Sequence, residues 1–391
     1  MIFLKKIVII GAGASGVYLS ILLKQKQQDL EVIVLEQNQA PLKKLLATGN
    51  GRCNLSNRDL KIDYYQSDNQ NIVEDIIHAF DIEQAMNDLG ILTTYQGNLL
   101  YPRSEQALSV KNILMDTALN LGVLFFYEQE VINISYSNQY HIQTNQQTFK
   151  ADDVIFAMGS EAGKLSGIKE TRYQILKKLN LEIVKPTPSL VQIKTKPALK
   201  QLKGVRVKGT FSLLENNQCI HKEKGELLFT DYGVSGIAVM QLSSYYQEGN
   251  HYEISLDLFD DMDETNLYNY LEQRSHQGYN RFYDGMVNHK LATYFELLHL
   301  DSTSKMVKQL KDMRLNVVGL NSYETAQVMK GGLSLKEVDY SLQIKKYPHV
   351  YAVGEILNVA GMCGGYNLHF AFASAKCVAD AIERENYVKN S

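Results

Sequence analysis

The chain is 391 residues long, more than one ordinary hydrophobic core holds, so two or three packed units are expected. Its composition, 45% hydrophobic and 21% charged, is that of a globular protein. A net charge of −3 offers no basic field for nucleic acid or anionic lipid.

The four cysteines, Cys53, Cys219, Cys363 and Cys377, are scattered without a C-x-x-C pair, which argues against a disulfide framework and a zinc site. The opening Ile2-Phe3-Leu4-Lys5-Lys6 lacks the apolar stretch of a signal peptide, and no segment reaches the length of a membrane span. The expectation is a reduced, cytoplasmic protein with no metal, no membrane contact and no nucleic-acid partner.

Ile7-Val8-Ile9-Ile10 reads as a strand buried on both faces. It runs into Gly11-Ala12-Gly13-Ala14-Ser15-Gly16, a complete G-x-G-x-x-G, and then into a helical pattern through Leu23. A second strand, Glu31 to Leu35, ends at Glu36, about 20 positions after Gly16 as a dinucleotide fingerprint requires. Gly11 permits the tight turn, Gly13 lets a pyrophosphate approach the backbone, and Gly16 lets helix and strand pack closely. Ala14 and Ser15 place helix N–H groups and the positive dipole end at the phosphates. Glu36 can accept from ribose hydroxyls and disfavours a 2′-phosphate.

Further along, Lys43 to Asn57 contains the turn Gly49-Asn50-Gly51-Arg52-Cys53-Asn54, whose glycines let amides converge on a ligand. Asp153 to Ser160 is a buried strand ending in small residues, among them Gly159. Lys185-Pro186-Thr187-Pro188 breaks the chain. Short strand-like runs follow at Leu190 to Ile193, Val205 to Leu214, Cys219 to His221 and Leu227 to Phe229, and the pattern turns helical between about Asp261 and Met313. After Gly331-Gly332 a last strand, Val350 to Val353, ends at Gly354-Glu355. Then come Gly361-Met362-Cys363-Gly364-Gly365-Tyr366-Asn367 and an Ala-rich terminal helix.

The fingerprint alone fits NAD as well as FAD. The strands ending at Gly159 and Gly354-Glu355 resemble the strand-to-glycine junctions of FAD folds, and Glu355 can bond the ribityl chain of a flavin. An NAD domain needs no such returning strand, so FAD is expected. The glycine pair before the terminal helix, with Gly365, Tyr366 and Asn367, would bring N–H groups to the reduced flavin's anionic edge.

Taken together, Lys43 to Asn57, Tyr101-Pro102-Arg103-Ser104, Leu228 to Gly236, Gly331-Gly332-Leu333-Ser334 and Gly354 to Leu368 resemble a family of bacterial flavoproteins, the aminoacetone oxidase-like and bile-acid 4,6-reductase-like oxidoreductases. The chain departs from that pattern with His369-Phe370 and Ala375 in place of Gln-Trp and Gly. The resemblance implies an α/β fold: a Rossmann-like FAD-binding domain from both chain ends (1–187 and 330–391), an inserted β-rich subdomain (188–260 and 314–329) and a small helical subdomain (261–313). It also implies that Lys44, Gly51, Arg52, Cys53 and Asn54 belong to the flavin site. Redox chemistry at Cys53 or Cys363 is disfavoured, because no partner cysteine lies at motif spacing.

His369 and Tyr366, near the start of the terminal helix, are the candidate proton donors, although a packing histidine is at least as natural a reading. Thr230 and Ser235 could line the substrate side. The expected activity is FAD-dependent oxidoreduction of a small organic substrate, either as a reductase taking electrons transiently from NAD(P)H or as an amine oxidase. RNA modification and a non-catalytic flavin protein are the alternatives.

Overall fold

The computed structural model describes residues 5–163 and 171–390. Residues 1–187 and 328–391 form one compact unit, and 188–327 form a second.

The first unit is built on a five-stranded parallel sheet. In chain order its strands are β1 (Lys6–Ile10), β2 (Glu31–Leu35), β3 (Leu124–Phe126), β4 (Asp153–Phe156) and β5 (Val350–Ala352). Their spatial order is β5-β4-β1-β2-β3, so the strand nearest the C-terminus pairs beside one from the first half of the chain. Ile7, Val8 and Ile9 are fully buried, as a central strand covered on both faces requires.

Helix α1 (Ala14–Lys26) joins β1 to β2 and is buried continuously from Ser15 to Lys24. The last helix, α2 (Tyr366–Asn390), packs along it, with the Tyr18 and Phe372 rings edge to face at 5.1 Å. Each fully buried Leu or Ile in such a contact contributes about 1.5–3 kcal/mol. Lys26 extends the contact with ion pairs to Asp380 and Glu383. Among the described residues, no helix is long and apolar enough to cross a membrane.

The second unit is a closed six-stranded barrel. Around it run Ile193–Lys196, Gly233–Ser235, Gln218–Phe229, Arg206–Glu215, Tyr252–Asp257 and Met313–Leu320, with the first and last strands paired. Tyr252–Asp257 alternates buried and half-buried residues, the period of a barrel wall. Helices Glu264–Ser275, His289–Leu297 and Thr303–Lys311 start at the side-chain caps Asp263, Asn288 and Ser302. Their Leu267, Leu271, Phe295 and Leu310 lie in the same apolar core as Phe211, Phe229 and Ile254 of the barrel.

One element differs from the sequence reading. Cys219 to His221 and Leu227 to Phe229 are parts of a single strand, Gln218–Phe229. The intervening Lys222-Glu223-Lys224-Gly225-Glu226 pairs with Arg206–Glu215 through backbone bonds that carry no apolar signature.

The fold rests on backbone contact at the first turn. A Cβ on Gly16 would lie 2.1 Å from the Gly11 carbonyl oxygen. Gly16→Ala should therefore lower stability by about 1–3 kcal/mol in chemical unfolding of the apoprotein. A variant as stable as the parent would show room that the backbone denies.

Candidate functional site

The turn after β1 is pinned on two sides. The Gly11 N–H donates to the Leu35 carbonyl of β2 at 2.7 Å, and its φ of 115° suits glycine. A Cβ there would sit 2.4 Å from the Ala157 carbonyl oxygen, just past β4. Gly13 is different. It is the N-cap of α1, no side chain caps the helix, and the nearest atom to an added Cβ is the Ala157 oxygen at 4.0 Å. Ala14 and Ser15 open a helix with no acidic residue in its first turn, so the positive end of its dipole faces no carboxylate of its own. Ser15 packs against Gly354, and the Gly354 N–H donates to Ser374 Oγ of α2 at 3.0 Å.

Glu36, at the end of β2, is nearly buried and accepts three bonds. These come from the Ala12 N–H at 2.9 Å, the Asn38 N–H at 2.9 Å and Asn38 Nδ2 at 2.6 Å. An ionised carboxylate offers about four acceptor positions, so one remains for a hydroxyl.

A second cluster forms where β4 and β5 end. Lys44 Nζ lies 2.6 Å from Glu355 Oε2, and Ser160 Oγ donates to Glu355 Oε1 at 2.7 Å. The Met329 N–H reaches the same carboxylate at 3.4 Å. Arg172 donates from Nη1 to the Ser160 carbonyl. Its guanidinium is nearly buried; burial lowers its pKa, and the charges of Glu36 and Glu355 oppose that. Gly159, with φ 65°, leaves open space beside Ser160. The structure thus brings together Lys44, Gly159, Gly354 and Glu355, adding Ser160, Met329 and Arg172. Ser160 was visible in sequence as the end of a small-residue run. Arg172 carried no signal, because an arginine in the polar helix Thr171–Lys178 reads as a surface residue.

The remaining expected site residues are engaged elsewhere. Arg52 bonds Gln96 Oε1 at 3.1 Å, Glu105 Oε2 at 3.3 Å and Tyr101 Oη at 3.3 Å, and it stacks over the Tyr101 ring. Cys53 is fully buried, and burial pushes its thiol to about 12, so it is protonated at neutral pH. Gly51 borders open space. The Asn54 amide, oriented to satisfy its neighbours, donates to Ser56 O at 2.9 Å and Leu100 O at 3.1 Å and accepts from the Gly365 N–H at 3.2 Å. Asn367 closes the loop before α2, accepting from the Gly361 N–H at 2.8 Å and donating to the Gly361 carbonyl at 2.7 Å. In the inserted unit, Thr230 closes a turn by donating its N–H to Gly233 O, and Ser235 is buried in its strand. Among the described residues no group of His, Cys, Asp and Glu gathers as metal ligands do.

The two candidate proton donors lie inside the fold. His369 has no exposed surface; Nδ1 lies 2.8 Å from Ser56 Oγ and Nε2 3.1 Å from the Ile77 carbonyl. A carbonyl only accepts, so Nε2 carries the proton and Nδ1 accepts from Ser56. Burial lowers the imidazole pKa to about 4, which leaves a neutral ring joining three segments and closed to substrate. Tyr366 is also buried, its hydroxyl donating to the Asp59 carbonyl at 3.1 Å and its ring packed on Tyr64 and Tyr65. Burial raises its pKa, so it holds its proton.

Comparison with known proteins adds the following. The family described as HI0933-like protein Rossmann domain matches residues 5–381. The 3-dehydro-bile acid delta(4,6)-reductase of Clostridium scindens is 30% identical, over 95% of this chain and 97% of its own. The ribosomal RNA dihydrouridine synthase of Escherichia coli is 28% identical, over 96% of this chain and 97% of its own. Among solved structures, a flavocytochrome c3 fumarate reductase in its open conformation has a TM-score of 0.53 at 14% identity, covering 97% of this chain and 78% of that chain. That likeness is one of fold.

The His369 environment predicts a pH effect. Its folded pKa of about 4 lies below the ordinary 6.5, so the unfolded chain binds the proton more readily. Stability from this group is complete above about pH 6.5 and is lost as the pH falls towards 4, by about 3 kcal/mol. Denaturant unfolding across that range should show the decline. His369→Gln should start less stable and lose less; parallel profiles for the two proteins would contradict the neutral, buried imidazole.

Proposed function

The chain belongs to the HI0933-like Rossmann-domain family, and on that premise we propose that it is an FAD-dependent reductase of a carbon–carbon double bond in a small conjugated carbonyl compound, with NAD(P)H as the transient electron donor. The observation that carries this reading is the uncapped start of α1 over the open Gly13, flanked by two ordered carboxylates, Glu36 and Glu355. That arrangement suits a dinucleotide with a hydroxylated arm on each side of a pyrophosphate.

In this reading the residues of 1–187 and 330–391 hold the cofactor, and 188–260 with 314–329 and 261–313 are the β-rich and helical parts of the insertion. Gly11, Gly13, Ala14, Ser15 and Gly16 carry the pyrophosphate, and Glu36 binds the adenosine ribose. Glu355, held by Lys44 and Ser160, takes the ribityl chain. Gly51, Gly159 and Gly365, with the amides opening α2, border the flavin through backbone rather than side chains. Bound FAD would supply the hydride transfer. The relatives' names support the choice of reductase, since a delta(4,6)-reductase and a dihydrouridine synthase both reduce a carbon–carbon double bond.

A second reading, reduction of a pyrimidine in RNA, rests on the 28% identity to the Escherichia coli synthase. Acidic residues slightly outnumber basic ones in 188–327, while Lys200, Lys203, Arg206 and Lys208 form a local basic run there.

The purified protein should be yellow and release FAD on denaturation. Gly13→Val should lose the flavin, and Glu355→Ala should bind it about 1–3 kcal/mol more weakly. FMN or NAD in the supernatant would overturn the cofactor assignment. For the reaction, NADPH should bleach the flavin anaerobically and a conjugated enone should restore its colour. Restoration only by ribosomal RNA would favour the second reading, and bleaching by a primary amine without NADPH would replace the reductase with an oxidase.

A further inference from the structure

The two carboxylates that flank the start of α1 are held in different ways. Glu36 accepts from the Ala12 N–H and from Asn38, all uncharged amides, so its side offers a ligand an acceptor only. Glu355 is held by a cation and a hydroxyl. Its Oε1 accepts from Ser160 Oγ at 2.7 Å and from the Met329 N–H at 3.4 Å, and its Oε2 lies 2.6 Å from Lys44 Nζ. Of the roughly four acceptor positions of a carboxylate, the last therefore lies on Oε2. An ammonium has three N–H donors. Lys44 gives one to Glu355 and a second to Ser160 Oγ at 3.4 Å, so a donor stands beside that acceptor.

Ser160 sets this geometry. It has no exposed surface, and its hydroxyl touches both partners, donating to Glu355 and accepting from Lys44 and from the Ala162 N–H at 3.3 Å. The terminal torsion of a glutamate is broad and two-fold, so a carboxylate without this donor turns freely and carries its last acceptor away from Lys44. Gly159, just before Ser160, has open space where a side chain would stand. The pair also lies close to the start of α1. A Cβ on Gly354, the residue before Glu355, would sit 2.5 Å from Ser15 Oγ in the first turn of that helix. A ligand that fills both places carries hydroxyls next to a phosphate, as the ribityl chain of a flavin nucleotide does.

We propose that Ser160 is a positioning residue that sets Lys44 and Glu355 as a donor–acceptor pair for two neighbouring hydroxyls, so that the site selects a flavin with a hydroxylated side chain independently of the diphosphate. One hydroxyl donates to Glu355 Oε2 and the next accepts from Lys44 Nζ. A hydroxyl does both, so a polyol satisfies the pair, whereas a flavin ring with an alkyl side chain leaves both charged groups without a ligand partner. The inference rests on the FAD reading above and deepens it, because it assigns Lys44 a ligand contact of its own.

The test uses full-length protein stripped of flavin, titrated with riboflavin, lumiflavin and ADP by fluorescence and calorimetry. Lumiflavin keeps the ring and carries a methyl group in place of the ribityl chain. The parent should bind riboflavin about tenfold or more tightly than lumiflavin. Ser160→Ala should bring that ratio down towards one, with lumiflavin and ADP bound as in the parent. Lys44→Met should lower the ratio likewise, and the double variant should lose little more than the larger single loss, because both changes act on one contact. If Ser160→Ala does not fold, Lys44→Met decides alone, since Lys44 is partly exposed. A parental ratio in either folded variant, or an ADP loss equal to the riboflavin loss, would overturn the pair. A parent that releases FAD on denaturation yet binds lumiflavin as tightly as riboflavin overturns this inference alone. A parent that binds ADP but no flavin overturns the cofactor reading, and the inference with it.

Discussion

The contact between Gly16, Gly11 and the end of β4 is the constraint on which the nucleotide unit depends. Three backbone segments approach there with no space for a side chain. This closeness sets the start of α1 against the sheet and leaves Gly13 as the open position of the turn. It also brings Ala157, Met158, Gly159 and Ser160 to the same edge, so that β4 presents small residues where a bulky cofactor would lie. Everything proposed about the site follows from this arrangement of backbone, because phosphate recognition by a helix start needs access to N–H groups more than it needs side chains.

The second half of the site depends on the chain's return. β5 pairs with β4, and the turn after it carries Glu355 to Lys44 and Ser160, residues far away in sequence. The terminal helix then fastens this turn from behind, through Ser374 to Gly354 and through Tyr18 against Phe372. His369 belongs to this fastening. Its neutral ring holds Ser56 and the Ile77 carbonyl, so it keeps the loop of residues 48–57 against α2. A histidine in that position stabilises the frame of the site.

The Lys44–Glu355 pair also shows how charge is managed at a half-buried site. Taking a carboxylate out of water is costly unless it is paired and hydrogen-bonded. Glu355 has an ammonium, a hydroxyl and a backbone N–H around it, which orient it. Arg172, bound to the Ser160 carbonyl, joins the same group from another helix. Ser160 therefore joins Arg172 to the Lys44–Glu355 pair.

Much of this was legible in the sequence. The β1–turn–α1–β2 unit, Glu36, the break near Pro188 and the returning strand at Val350 are local patterns. Periodicity and glycine placement determine such patterns within a few residues of themselves. What the sequence could not decide was where long side chains go. Arg52 looked like a ligand residue in a glycine loop, and folding placed it on Tyr101 and Glu105 of a neighbouring hairpin. His369 looked like an acid, and α2 turned it inward against Ser56. Arg172 stands in no motif, and its helix buries it beside Ser160. Each outcome depends on contacts between residues separated by 12 to 313 positions along the chain. Backbone conformation is set mainly by neighbours in sequence, whereas the burial and partners of a titratable side chain are set by whatever the tertiary structure packs around it.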